Sequence, residues 1–146
     1  MRVVVLGATG NVGTSVLKSL RAEDAVDRIV GVARRRPATE LSKVEWRTAD
    51  IVSDDLDPIF DGADAMVHLA WAIQPSRDLA ALTATNVTGR RVFEAVERTG
   101  VPSLVYASSI GAYSPGPKDR RVGEDWPING IGTSFYPGTR RRSSGS

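Results

Sequence analysis

The sequence predicts a doubly wound, parallel α/β sheet, and three observations predict it. Short β-branched runs alternate with longer stretches of helical period, a glycine-rich turn joins the first run to the first such stretch, and most of the runs are apolar nearly throughout. Strands that must be covered by helices on both faces have that last property, whereas half-exposed strands alternate.

In chain order, residues 2 to 7 (RVVVLG) form the first strand, a β-branched run closed by glycine. Residues 11 to 22 follow as an amphipathic helix, then strands at 28 to 33 (RIVGVA) and 44 to 48 (VEWRT), and a short helical turn near 56 to 60. The fourth strand is expected at 64 to 69 (DAMVHL) and the fifth at 103 to 107 (SLVYA). Between them a long helix is expected over 78 to 98, with Leu79, Leu82, Asn86, Phe93 and Val96 near one inward face. Gly100 and Pro102 in ERTGVP stop it.

The 146 residues suit one domain, and 41% hydrophobic residues suffice for a core. The net charge of +2 does not describe the body of the chain: Arg140, Arg141 and Arg142 supply three of 19 basic residues, and 19 less three leaves 16 against 17 acidic ones. A nucleic-acid partner is therefore not expected. With no cysteine and one histidine, neither disulfides nor a metal site are expected, and the composition suits the cytoplasm. The apolar run at the start ends at Gly7, too soon for a signal peptide or membrane span.

The turn VVVLGATGNVGTSVL puts Gly7, Gly10 and Gly13 between the first strand and the first helix. A phosphate reaches a helix N-terminus only where the backbone can come close, so side chains must be missing at the tight turn and beside the pyrophosphate. Thr9, Asn11 and Val12 belong to the same phosphate-binding turn. The second strand ends not in an acidic residue, which would bind the ribose 2′-hydroxyl of NAD, but in Ala33 followed by Arg34, Arg35 and Arg36. Guanidinium groups there suit the 2′-phosphate of NADP, so NADP is the preferred cofactor and NAD the other; the bland alternative is a loop of solvated arginines.

These motifs, with ADI at 49 to 51, VHLAW at 67 to 71, TNVTGRRVFEA at 85 to 95, VYASSIGAYSP at 105 to 115 and EDWP followed by GTSFY up to Tyr136, resemble the extended short-chain dehydrogenase/reductase family. Its members are NAD(P)-dependent epimerases, dehydratases and reductases of sugars and related small molecules. The resemblance covers residues 1 to 136 and implies a Rossmann-type sheet of strand order 3-2-1-4-5. It also implies that Asp50 and Ile51 border the adenine, with Asp50 reaching its amino group. Leu69, Ala70 and Asn86 would line the cofactor. His68, in the same stretch, is expected to be a strand-end residue with one hydrogen bond.

By the same resemblance Ser109 would hold the substrate oxygen while Tyr136, 27 residues later, exchanges its proton and the nicotinamide exchanges hydride. Tyr113 is the competing tyrosine. A phenol with a pKa of about 10 needs help at neutral pH, and the family supplies a lysine four residues on; here that position is Arg140, and Pro137 and Gly138 oppose the helix that would carry it. One synonymous coding of residues 136 to 146 reads, with a single T restored after the tyrosine codon, as YSRHKAAVERL, which contains Tyr-x-x-x-Lys. The expectation is therefore a chain truncated or frameshifted after Tyr136. In that reading residues 1 to 136 form a partial dinucleotide domain and 137 to 146 a disordered tail, the fifth strand is an open edge, and stability is marginal. Two functions follow: an oxidoreductase, epimerase or dehydratase acting on a nucleotide-sugar or similar small molecule with impaired catalysis, or a non-catalytic NAD(P)-binding sensor. Relatives commonly form homodimers; no membrane partner is expected.

Overall fold

The structure, a computed structural model, describes residues 1–71, 89–109 and 112–129. The order is β1 (Arg2–Leu6), α1 (Asn11–Ala22), β2 (Arg28–Ala33), β3 (Val44–Thr48), α2 (Asp57–Phe60), β4 (Ala65–His68), α3 (Gly89–Thr99) and β5 (Leu104–Tyr106). The strands form one sheet of order β3-β2-β1-β4-β5, and all four ladders are parallel. Strands 1, 4 and 5 are shorter than the sequence predicts. Gly7 turns out of β1 at a φ of +78°, and the chain after His68 bends away along the end of the sheet.

Alternation within the central strand divides the interior into two cores. Val3 and Val5 point to one side and pack with Leu17 of α1, Val26, Ile29 and Trp46. Val4 and Leu6 point to the other and pack with Val30, Val32, Phe60, Met66 and, from α3, Val92 and Ala95. Val4, Val5, Leu6 and Phe60 are wholly inaccessible to solvent, and each such side chain contributes about 1.5–3 kcal/mol relative to exposure. The central strand therefore fixes the platform at whose end the glycine turn lies.

Helix α3 corrects one expectation. Its inward line is Gly89, Val92 and Ala95, whereas Phe93, expected inside, is 40% exposed. Small residues on the inward line let the helix approach the sheet, and Phe93 rotates outward to meet the rings of His68 and Tyr106 at 6.4 and 5.1 Å. The helix ends in a Schellman turn: Gly100 takes a φ of +67°, its amide reaches the Glu97 carbonyl at 3.2 Å, and the Val101 amide reaches that of Val96 at 3.2 Å. Arg98 grips Asp57 through Nε and Nη2 at 2.9 and 2.7 Å and so orients α3 against α2. The part of the predicted helix before Gly89, with Leu79, Leu82 and Asn86, lies outside the described residues.

Strand β5 stands at one end of the sheet. Val105 is 58% exposed: the apolar composition of β5 suggests a strand covered on both faces, but its place is the outer one that the order 3-2-1-4-5 assigns it, and an apolar run alone does not distinguish the two. Among the described residues no helix is long and apolar enough to cross a membrane.

Candidate dinucleotide site

Parallel strands end on the same side, and the loops that leave β1, β2, β3 and β4 converge there on a cleft of about 280 Å³. Leu6, Gly7, Thr9 and Gly10 line it from the first turn, and Val32, Ala33 and Arg34 from the end of β2. The turn after β3 adds Ala49, Asp50 and Ile51, and the segment after β4 adds Leu69, Ala70 and Trp71. The chain winds outward from β1 through β2 to β3, then returns to pair β4 on the other side of β1. A crevice at the carboxyl ends of strands beside such a reversal is the general ligand position in open α/β sheets.

The first turn is built so that the main chain, not side chains, faces this cleft. A Cβ on Gly7 would lie 3.0 Å from the Ala70 nitrogen and the Leu69 carbonyl carbon, and its φ is left-handed, so only glycine fits between β1 and the chain leaving β4. The amides of Gly7 and Ala8 both donate to the Val32 carbonyl at 3.1 and 3.2 Å, which ties the turn to β2. A Cβ on Gly13 would stand 2.3 Å from the Gly7 carbonyl oxygen and 2.8 Å from the Ala8 carbonyl group, so the third glycine lets α1 sit directly on the turn.

Helix α1 then begins at Asn11 with Gly10 at its N-cap, no capping side chain and no acidic residue in its first turn. Its leading amides carry the partial positive charge of the helix dipole, and no acidic side chain in the helix's own first turn offsets it. Asn11 and Val12 lie in that exposed first turn, beside the cleft rather than in its lining, and Val12 is 62% exposed.

Of the three arginines after β2, only Arg34 lines the cleft; Arg36 is engaged by Glu40 at 2.9 Å, and Arg35 is exposed outside the lining. Asp50 is half-buried, and its Oδ1 accepts from the Val52 amide at 2.9 Å, while Ile51 is buried. The cleft thus pairs an apolar wall with one carboxylate and one guanidinium at its rim.

His68 is 1% exposed, and burial in apolar surroundings holds its pKa down to about 4. The neutral ring accepts at Nδ1 from the Ala70 amide at 3.3 Å, so it supports the segment that abuts Gly7. It lies against Tyr106 at 5.1 Å, and Tyr106 lies against Trp71 at 5.5 Å, forming an aromatic wall that continues from the cleft to β5. Burial raises the Tyr106 phenol above its usual pKa.

Ser109 is exposed after β5, its carbonyl accepts from the Ala112 amide at 3.0 Å, and it does not line this cleft. Asn86, Tyr136 and the segment 137 to 146 lie outside the described residues. Sequence reasoning did not single out Leu6 or Val32, which are ordinary strand-end residues; it named Ala33 only as the end of the second strand, and Ala49 and Trp71 were visible only as letters of ADI and VHLAW.

Residues 3–130 match the family model described as the NAD dependent epimerase/dehydratase family. The UDP-glucose 4-epimerase of Mycolicibacterium smegmatis is 33% identical over 141 residues, covering 88% of this chain and 45% of that protein. The uronate dehydrogenase of Pseudomonas syringae pv. tomato is 27% identical over 117 residues, covering 77% of this chain and 42% of that protein. Among solved structures, MoeE5 in complex with UDP-glucuronic acid and NAD superimposes with a TM-score of 0.78 at 27% identity, covering 95% of this chain and 46% of that one. The chain spans less than half the length of each of these relatives.

Proposed function

The chain belongs to the NAD dependent epimerase/dehydratase family, and from that premise we propose that its cleft holds the adenosine and pyrophosphate part of NADP or NAD in the service of oxidoreductase or epimerase chemistry on a nucleotide-sugar. One observation carries this reading. Gly7, Thr9, Gly10, Arg34, Asp50, Ile51, Leu69 and Ala70, drawn from four separate loops, line a single cleft beside the uncapped start of α1. The fit is physical: Gly7 and Gly13 leave no room for a side chain, so turn and helix start pack closely, and the amides at that start suit an anion.

In this reading the diphosphate lies against Gly10 and the first turn of α1, including Asn11, Val12 and Gly13. The adenine lies between Ile51 and Asp50, and Arg34, with Arg35 near it, takes the 2′-phosphate. Leu69 and Ala70 form the floor, and Asn86 keeps the cofactor-binding role that the family resemblance implies. The dinucleotide supplies the hydride acceptor and donor. The chain's own contribution is a shaped cleft and a polar pair, Ser109 to hold the substrate oxygen and Tyr136 to exchange its proton. Arginine in place of lysine at position 140 favours a second reading, a dinucleotide-binding module without tyrosine chemistry.

Titration with NADP and NAD, following the backbone amide resonances of residues 7 to 13, tests the site; a folded sample in which those resonances do not move refutes it. Cofactor choice is tested by Arg34→Ala. Losing a charge-assisted hydrogen bond should weaken NADP binding by roughly ten- to a hundredfold and leave NAD binding nearly unchanged. Equal affinities before and after, measured by calorimetry, would return the arginines to the solvated loop. Hydride transfer with a UDP-sugar, read as reduced nicotinamide, distinguishes the enzyme from the binding module.

A further inference from the structure

Two of the cleft residues, Asp50 and Ile51, stand on a turn whose shape is held from outside the cleft. Arg91 of α3 donates through Nη1 to the carbonyls of Ile51, at 3.4 Å, and Val52, and through Nη2 to that of Asp54 at 3.1 Å. On the other side the turn is closed by its own groups. The amides of Ser53 and Asp54 reach the Asp50 carbonyl at 3.2 and 2.9 Å, and the Asp54 carboxylate accepts from the Asp50 amide at 2.8 Å.

Three carbonyl dipoles turned towards one point repel one another unless a cation with several fixed donors occupies that point. A guanidinium has that form, and an ammonium lacks the planar fork. The preceding residue shows that such use is not general: Arg90 points to solvent and pairs within the helix with Glu94 at 2.8 Å.

We propose that Arg91 is a positioning residue for the adenine end of the cleft, holding the turn at 50–54 so that Asp50 and Ile51 present one fixed edge to the base. The proposal rests on the reading of the cleft as a dinucleotide site. Arg91 does not line the cleft, so its effect must pass through the turn.

The test uses the whole chain and two probes, NADP and its analogue with hypoxanthine in place of adenine, which lacks the amino group that Asp50 would accept from. The unmodified protein is expected to prefer the adenine form by roughly tenfold, as one well-formed hydrogen bond implies. Arg91→Ala should weaken NADP by about as much and bring the preference close to unity. Arg91→Lys should recover part of the preference, and Arg90→Ala should match the unmodified protein. A lowered melting temperature with an undiminished base preference in Arg91→Ala would overturn the proposal and leave Arg91 a structural residue. If the alanine variant does not fold, Arg91→Lys decides: a reduced preference supports the proposal and an unchanged one overturns it. An unmodified protein that binds NADP without preferring adenine also overturns it, whereas one that binds neither probe overturns the reading of the cleft itself.

Discussion

Gly13→Ala is expected to reduce dinucleotide affinity by about a hundredfold, because its added methyl displaces the helix start that the phosphates would meet. The new carbon would stand 2.3 Å from the Gly7 carbonyl oxygen and 2.8 Å from that of Ala8, and both obstacles are main chain. No rotamer change relieves such a contact, so α1 must move off the turn, at a cost in stability of roughly 1–3 kcal/mol. Gly62→Ala is the control. Gly62, unlike the helical Gly13, has a left-handed φ of +68°, but a Cβ there meets nothing within 4 Å. That variant should lose some stability to backbone strain, about 1–2 kcal/mol, and no affinity. Calorimetric titration alongside thermal melts separates the two effects. A Gly13→Ala protein that binds NADP as tightly as its parent would reduce the third glycine to an ordinary turn residue.

Stability should fall as the pH drops from 6.5 to about 4, and His68 should account for most of that fall. The unfolded chain binds a proton at this residue near pH 6.5, whereas the folded one resists until about 4. Within that window the unfolded state holds more protons, so acid favours unfolding, by on the order of 3 kcal/mol at the lower end. The carboxylates of Asp27, Glu45, Asp54 and Asp57 act in a different range. Hydrogen bonds, from the N-terminal amine, Arg28, the Asp50 amide and Arg98 respectively, are the largest cause of their lowered pKa values. Their stabilisation is complete above the ordinary carboxylate range and is lost below it as they protonate. His68→Phe keeps an aromatic ring against Tyr106 and removes the titration. Urea denaturation at a series of pH values should show the slope between 6.5 and 4 in the parent and its absence in the variant. A slope that persists in the variant assigns the effect elsewhere.

Much of this architecture could be read from the chain because it is encoded locally. Runs such as VVVL and IVGV, short, β-branched and closed by turn residues, read as strands, and the glycine spacing marks the turn from which α1 starts. The sheet order followed from the family resemblance and agrees with the structure.

What escaped was encoded at a distance. Phe93 has helical spacing with Val96, yet it faces outward because His68 and Tyr106 offer it rings there, and those lie on β4 and β5. Arg91 reads as a solvated helix residue until α3 is laid against the turn after β3, some 40 positions earlier in the chain. Val105 has the composition of an interior strand residue, and its exposure depends on what stands next to β5. Even within the cleft, the sequence grouped Arg34 with Arg35 and Arg36, whereas geometry separates the one that reaches the lining from the one engaged by Glu40.

Because every ladder is parallel, no neighbouring strands can zip together through a tight hairpin. Val3 can find Ala65 only after the intervening chain, with two strands and two helices, has been looped out of the way. The entropic toll of that closure falls before any contact rewards it, so assembly should be slow for a chain of this size and should begin with β1, α1 and β2, the nearest partners in sequence. The turn that would grip a diphosphate is therefore expected to be among the first parts of the molecule to take shape, and ligand added during refolding should speed the recovery of native signal.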